Sequence, residues 1–379
     1  MRARPQRLVR LPRQYFVELL GRVAEAAAED GPPLVDLGRG NPDVGPPTHV
    51  VEALRDSVLD DHVHGYAPIR GLRRCREAIA ARYATEYGVE LDPDTEVAIV
   101  PGTKTALAEL PLALAEEGDV VLLPDPYYPD YPSGIALAGA RLETVELDAD
   151  RGFAPELDTA PAAAALYLNY PSNPCAVCAP DGVFDDAVTW ARRTGGAVVH
   201  DAAYIDLVFD GRRPRSFLQA PGGKDVGVEL WSMSKTYGMA GWRIGFVVGN
   251  AEIVERVNML NDHARVGIFA PLQAATIAAL EGPQESVAER VAGYERRRDV
   301  LAAALPGPPI SEGTFFVWVR LPDGLTAEQL LTEHRVAVAP GEGFGPSGAG
   351  WARLSLAVSD ETVELGAERL QRAFAAALA

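Results

Sequence analysis

Three cysteines in 379 residues are too few, and an odd number besides, for a disulfide framework. The chain also lacks any apolar run of about 18 residues, the length a membrane-crossing helix requires. Basic residues are in deficit. The 35 lysines and arginines face 53 aspartates and glutamates, and the resulting net charge of −18 repels nucleic-acid backbones and anionic membrane surfaces. Neither nucleic acid nor membrane is expected as a partner. The arginine-rich start (Arg2, Arg4, Arg7, Arg10, Arg13) carries no apolar segment of the kind a secretory signal needs, so a cytoplasmic location is expected. Internal repeats and low-complexity linkers are missing too. Cys175 and Cys178 form a CAVC pair, but no second Cys/His pair stands at metal-ligand spacing, and no metal is expected.

What is present is 47% hydrophobic, enough to bury a large core and a smaller one. Short apolar runs alternate with longer helical patterns: VAIV at 97–100, DVVLL at 119–123, ALYLN at 165–169, AVVHD at 197–201 and ELWSMS at 229–234. Such runs predict an α/β fold with a mostly parallel sheet covered on both faces, a fold that binds ligands beyond its strand ends. FFVWV at 315–319, VAVA at 336–339 and ARLSLA at 352–357 suggest a smaller α+β unit. The helix-like QYFVELLGRVAEAAAE and the turn GRGNPDVGPP are expected to join that unit. The expected division is 46–280 for the large domain, and 1–45 with 281–379 for the small one.

Polar residues stop several of these strands. After VAIV, Gly102 and Thr103 precede a helical run beginning near Lys104, so free N–H groups and a helix dipole offer a phosphate site there; a simple strand-to-helix turn is the alternative. After ALYLN, two prolines hold Asn173 in a loop, either toward a ligand or merely as a turn. Asp201 ends AVVHD, with Tyr204 three residues on. A carboxylate at that point needs a cation or strong donor, unless it is a helix cap or half of a structural ion pair. In SMSKTYGMAGWRIG, Lys235 is surrounded by Ser232, Ser234, Gly238, Ala240 and Gly241, with Arg243 eight positions later. An amine and a guanidinium beside a phosphate-binding turn suit an anionic aldehyde, whereas a lone lysine would read as an exposed loop residue.

With these strand ends taken together, the sequence resembles the class I/II aminotransferases, the fold-type I enzymes that use pyridoxal 5′-phosphate. The resemblance runs through LGRGNPD at 37–43, HGYAPIRGLRRCREAIA at 64–80, PGTKTAL at 101–107 and PDPYYPDY at 124–131. It continues through NYPSNP at 169–174, HDAAY at 200–204, SMSKTYGMAGWRIGF at 232–246 and WARLSLA at 351–357. It implies a large domain built on a mostly parallel seven-stranded sheet sandwiched by helices, with a small α+β domain. It also implies a homodimer with shared active sites.

Residue by residue, Lys235 matches the lysine that forms the internal aldimine and then moves protons at the substrate α-carbon. Asp201 matches the partner of the pyridine nitrogen, and Asn173 and Tyr204 match the donors to the phenolic oxygen. Gly102, Thr103, Ser232 and Arg243 match the phosphate cup, with Lys104 and Ser234 beside it. Tyr128 matches the aromatic stacked on the ring, and Tyr66 a tyrosine that reaches the phosphate from the neighbouring subunit. Arg353 matches the bidentate anchor of the substrate α-carboxylate, with Gly40 and Asn173 at the same group.

Cys175 and Ala176 replace the Thr-Gly that often follows the family's Asn-Pro, and Ala202, Ile205 and Asp206 are unusual residues expected at the pocket edge. The nearest branch is that of the methionine-salvage, alanine and diaminopimelate aminotransferases. The reaction so implied moves an α-amino group between an L-amino acid and a 2-oxo acid. A pyridoxal-phosphate lyase, decarboxylase or oxidase of specialised metabolism is the alternative. A regulator on the same scaffold would need an attached DNA-binding segment, for which the N-terminal stretch is too short. Lys104 bears on substrate charge: relatives use a lysine in this turn against a distal carboxylate, and relatives with neutral substrates carry one too.

Overall fold

A computed structural model describes residues 4–307 and 309–379; Arg2, the first of the N-terminal arginines, lies outside the described residues. The strands, in chain order, are β1 (Val35–Asp36), β2 (Val97–Val100), β3 (Val120–Asp125), β4 (Arg141–Asp148), β5 (Ala154–Pro155), β6 (Ala165–Asn169) and β7 (Ala197–Asp201). They continue with β8 (Gly227–Ser232), β9 (Gly245–Gly249), β10 (Phe316–Arg320), β11 (Val336–Ala337), β12 (Ala339–Pro340) and β13 (Trp351–Ser355).

The main sheet runs β2-β9-β8-β7-β6-β3-β4-β5. Seven strands of four to eight residues form its body, and the two-residue β5 extends it by an antiparallel pair with β4. Pairs β3–β4, β3–β6, β6–β7 and β7–β8 are parallel, while β9 lies antiparallel between β2 and β8. Strands β2, β6, β8 and β9 are buried along their whole length, and the apolar runs VAIV and ALYL reflect that burial in β2 and β6. Successive residues still face opposite layers. Ala165 and Tyr167 pack with the helices Thr103–Leu114 and Tyr131–Ala138, whereas Leu166 and Leu168 pack with Arg73–Tyr87 and Val183–Thr194.

Three runs end differently from the sequence pattern. DVVLL continues to Asp125, and ELWSMS stops at Ser232, where the serine caps a four-residue helix over Met233–Thr236. VAVA splits at Val338 because its halves serve different sheets. Val336–Ala337 pairs parallel with β1, and Ala339–Pro340 pairs antiparallel with β13. The strand over 141–148 was not foreseen, since its burial is partial and irregular. Nor was 245–249, whose glycines hide its strand character.

The parallel strands β6, β7 and β8 all end on one edge, at Asn169, Asp201 and Ser232, and Asn169 stands opposite Asp201 in register. The segment before residue 45 meets the C-terminal strands through the β1–β11 pair and through the Tyr15 hydroxyl, which donates to Pro340 O at 2.8 Å.

One polar cluster lies inside the sheet's core layer. Glu229, fully buried on β8, accepts from the Tyr83 hydroxyl (2.6 Å), the Ser216 hydroxyl (3.0 Å) and the Phe217 amide (2.8 Å). His200 Nδ1 donates to it at 2.8 Å, and His200 Nε2 faces Tyr170 O at 3.0 Å. Both ring nitrogens thus face oxygen atoms inside the core. Removing one member of such a buried polar set leaves the others unpaired. Glu229→Ala is expected to lower stability by about 3–5 kcal/mol in denaturant titration; a loss under about 1 kcal/mol would show that the cluster contributes little.

Candidate active site

The strand edge opens into a cleft of about 390 Å³. Its wall holds nine of the residues singled out in the sequence: Gly40, Thr103, Lys104, Tyr128, Asn173, Asp201, Tyr204, Lys235 and Arg353. Gly102, Ser232, Ser234 and Arg243 do not contribute to that wall. Tyr66 stands apart, 91% exposed.

Asp201 is buried at the end of β7. The donor its position demanded is the Tyr131 hydroxyl, at 2.8 Å from Oδ2, supplemented by the Ala203 amide at 3.2 Å from Oδ1. Burial nevertheless raises its pKa, against the pull of these donors and of His200 and Lys235. A cation arriving at this carboxylate would relieve that cost. Asn169 Nδ2 donates to Asp201 O at 2.7 Å and Asn169 Oδ1 accepts from the Asn173 amide at 2.7 Å, so one side chain ties the Asn173 loop to the Asp201 strand.

Lys235 emerges from the short helix capped by Ser232, whose Oγ accepts from the Ser234 amide at 3.2 Å. Its Nζ donates to Gly40 O at 3.3 Å and lies over the rings of Phe315 and Tyr204, 5.2 and 5.7 Å from their centroids. Burial lowers its pKa to about 8; Arg353 and Arg243 push the same way, and Asp201 opposes them. About a tenth of the amine is therefore neutral, and nucleophilic, at pH 7, against less than about a thousandth for an ordinary lysine.

Gly102, at φ +80°, caps the helix Thr103–Leu114. A Cβ there would collide with the Arg243 guanidinium, so only glycine lets that side chain lie against the helix start. Arg243 itself sits at φ +57°, and its Nη1 donates to Ala240 O at 2.9 Å. A guanidinium and free helix N–H groups thus meet on the β2–helix turn.

Arg353, on β13, is 1% exposed and has no carboxylate within ion-pair distance among the described residues. Nη1 donates to Asn173 Oδ1 at 2.7 Å and Nη2 to Gly38 O at 3.4 Å, while Nε has no partner. Its guanidinium carbon lies 3.9, 4.8 and 5.4 Å from the ring centroids of Phe316, Phe344 and Phe16. Burial pushes its pKa down to about 10, so it remains charged at neutral pH. A buried guanidinium held this way is an anion receptor.

The residues expected at the pocket edge are elsewhere. Ala202 and Ile205 are buried in the core, and Asp206 is held away from the cleft by Arg82 Nη2 (2.9 Å) and the Thr236 hydroxyl (2.8 Å). Of residues 202–206, Ala203 and Tyr204 reach the cleft. Cys175 is buried, its thiol pKa raised by burial, and Cys178 donates to Glu312 O at 3.4 Å. Conversely, Phe16, Leu19 and Leu20 of the helix Tyr15–Ala28 line the cleft, as do Arg39, Asn41 and Phe316. Nothing local in QYFVELL distinguishes a cleft-lining face from an ordinary amphipathic one.

Comparison with known proteins identifies the family. The family described as "Aminotransferase class I and II" matches residues 32–370. The chain is similar to the L-glutamine–4-(methylsulfanyl)-2-oxobutanoate aminotransferase of Bacillus subtilis, 44% identical over 376 residues that cover 96% of this chain and 94% of that one. It is 38% identical to the LL-diaminopimelate aminotransferase of Moorella thermoacetica over 97% of both chains. Among solved structures, substrate-bound BacF of Bacillus subtilis superposes with a TM-score of 0.91, at 38% identity and 98% coverage of both. The curated relatives are named aminotransferases, and a lyase, decarboxylase or oxidase is not favoured.

Because only the neutral amine attacks a carbonyl, reductive trapping of an aldehyde on Lys235 should accelerate about tenfold per pH unit below about 8 and level off above it. A rate still climbing at pH 10 would refute the lowered pKa.

Proposed function

Because the chain belongs to the class I and II aminotransferases, fold-type I enzymes dependent on pyridoxal 5′-phosphate, we propose that the cleft is its active site and that Lys235 and Arg353 are its two anchors. The observation that carries this reading is their meeting in one cleft: a partly neutral amine and a buried guanidinium without a carboxylate partner among the described residues.

The residues present fit the cofactor. Lys235 has the lowered pKa an aldehyde-capturing amine needs, Asp201 is a buried carboxylate short of a cation, and the Gly102–Arg243 contact leaves a positive concavity for phosphate. Bound there, pyridoxal phosphate supplies an aldehyde that condenses with amines and a protonated ring that takes up the electron pair left when Cα loses its proton. Asp201 holds the proton on the ring nitrogen. Asn173, whose Oδ1 is engaged by Arg353, has its amide nitrogen left to donate, and with Tyr204 it serves the ring oxygen. Thr103, Ser232 and Arg243 grip the phosphate with Gly102, flanked by Lys104 and Ser234, and Tyr128 covers the ring.

Arg353 takes the substrate α-carboxylate through paired N–H groups, helped by Asn173 and the Gly40 backbone. This fixes Cα where the Lys235 Nζ, as the neutral base, removes its proton. An L-amino acid thereby gives up its amino group, and a 2-oxo acid receives it in the reverse half.

The same reading makes residues 46–280 the cofactor-bearing domain, and 1–45 with 281–379 the small one; the β1–β11 pair supports that grouping. Tyr66, Ile69, Val266 and Phe269 are exposed, and the 66–69 stretch packs beside 267. A second copy covering this face would bring its own Tyr66 to the neighbour's phosphate, making a homodimer with shared sites. Three unpaired cysteines accord with a cytoplasmic enzyme.

Lys235→Ala should abolish the lysine-bound absorbance band of the cofactor and lower turnover by about a thousandfold. Arg353→Gln should weaken donor binding by about 30-fold or more while the cofactor band persists. An unchanged band in the first variant, or unchanged donor binding in the second, would remove the corresponding assignment.

A further inference from the structure

Four cationic side chains line the cleft, and they are of two kinds. Lys235 and Arg353 have no carboxylate within ion-pair reach among the described residues and are committed to the cofactor and the α-carboxylate. Arg39 and Lys104 are already neutralised. Arg39 Nε bonds Asp36 Oδ2, and Lys104 Nζ lies 2.7 Å from Asp130 Oδ2. The second pair is markedly asymmetric: the Lys104 side chain is 56% exposed, whereas Asp130 is only 6% exposed. Lys104 cannot turn toward a ligand without leaving a buried carboxylate stripped of its counter-ion. The same wall also carries the apolar side chains of Phe16, Leu19, Leu20 and Leu107.

We propose that Asp130 is a specificity-determining residue: it withholds the Lys104 ammonium from the substrate, so that the side-chain end of the cleft accepts uncharged side chains and rejects those ending in a carboxylate. A dicarboxylic amino acid spends its first carboxylate on Arg353. Its second must then shed water in a cleft where, among the described residues, the other two cations are already paired. An uncharged side chain meets the same wall without that cost and gains from apolar contact. The sequence alone presents Lys104 as a free cation, because Asp130 is 26 positions away and meets it only through the packing of the helices Thr103–Leu114 and Tyr131–Ala138.

The proposal rests on reading the cleft as the substrate site. It is tested with the holoenzyme by following the cofactor absorbance in single turnovers, which need no oxo acid. Methionine, glutamine and leucine serve as uncharged donors, and aspartate and glutamate as dicarboxylic ones. The wild-type enzyme should favour the best uncharged donor by about tenfold or more. Asp130→Asn should improve the dicarboxylic donors about tenfold, through tighter binding rather than a faster step, and leave the uncharged donors within about twofold. Adding Lys104→Met should erase that gain. Asp130→Ser frees the same ammonium should the asparagine variant misfold, and the wild-type preference is decisive by itself. A wild-type enzyme that prefers aspartate or glutamate to every uncharged donor overturns the proposal. So does an Asp130 variant that holds cofactor but leaves the preference unmoved. If instead the reading of the cleft is at fault, Arg353→Gln leaves the binding of every donor unchanged, an outcome distinct from either.

Discussion

A guanidinium that is almost fully buried and has no carboxylate partner among the described residues is the constraint around which this molecule is arranged. Arg353 is tolerated because Asn173 and Gly38 accept from it and because Phe16, Phe316 and Phe344 surround its planar faces. Those groups come from the N-terminal helix, the segment after β1, the loop after β6, the strand β10 and the turn after β12. A charge that would be ruinous alone thus draws five distant segments to one point. Its orphaned Nε keeps a standing demand for an anion there.

The second feature of the site is that its charges set one another's behaviour. Burial and the two neighbouring guanidinium groups lower the Lys235 pKa, and burial raises that of Asp201, so the amine is partly neutral and the carboxylate is eager for a cation. Behind Asp201, the His200–Glu229 pair occupies the adjacent register positions of β7 and β8, and His200 helps restrain the rise in the Asp201 pKa. Cation and anion positions are thereby set by the sheet, and loops supply the rest.

Much of this was legible in the chain. The runs at 97–100, 165–169 and 197–201 coincide with β2, β6 and β7, since strands buried on both faces leave an unbroken apolar signature. The polar residues that end two of them, Asn169 and Asp201, lie in the cleft wall. Where exposure is mixed, as in β4, or where glycine replaces side chains, as in β9, the signature fades. The pocket edge was misjudged for a related reason. Ala202, Ile205 and Asp206 stand beside Ala203 in sequence, but only the turn geometry after β7 decides that Ala203 faces the cleft while the others face the core or Arg82.

By itself the sequence determined the fold class and the family, and it singled out the lysine proposed to react, because these depend on local pattern: buried strand runs, the turn at Gly102 and the small residues around Lys235. The tertiary structure alone decided what surrounds each charge. Whether Lys104 is free, whether Arg353 has a counter-ion and which face of the N-terminal helix lines the cleft all depend on groups far apart in the chain. Electrostatic energy and desolvation follow distance in space rather than separation along the backbone.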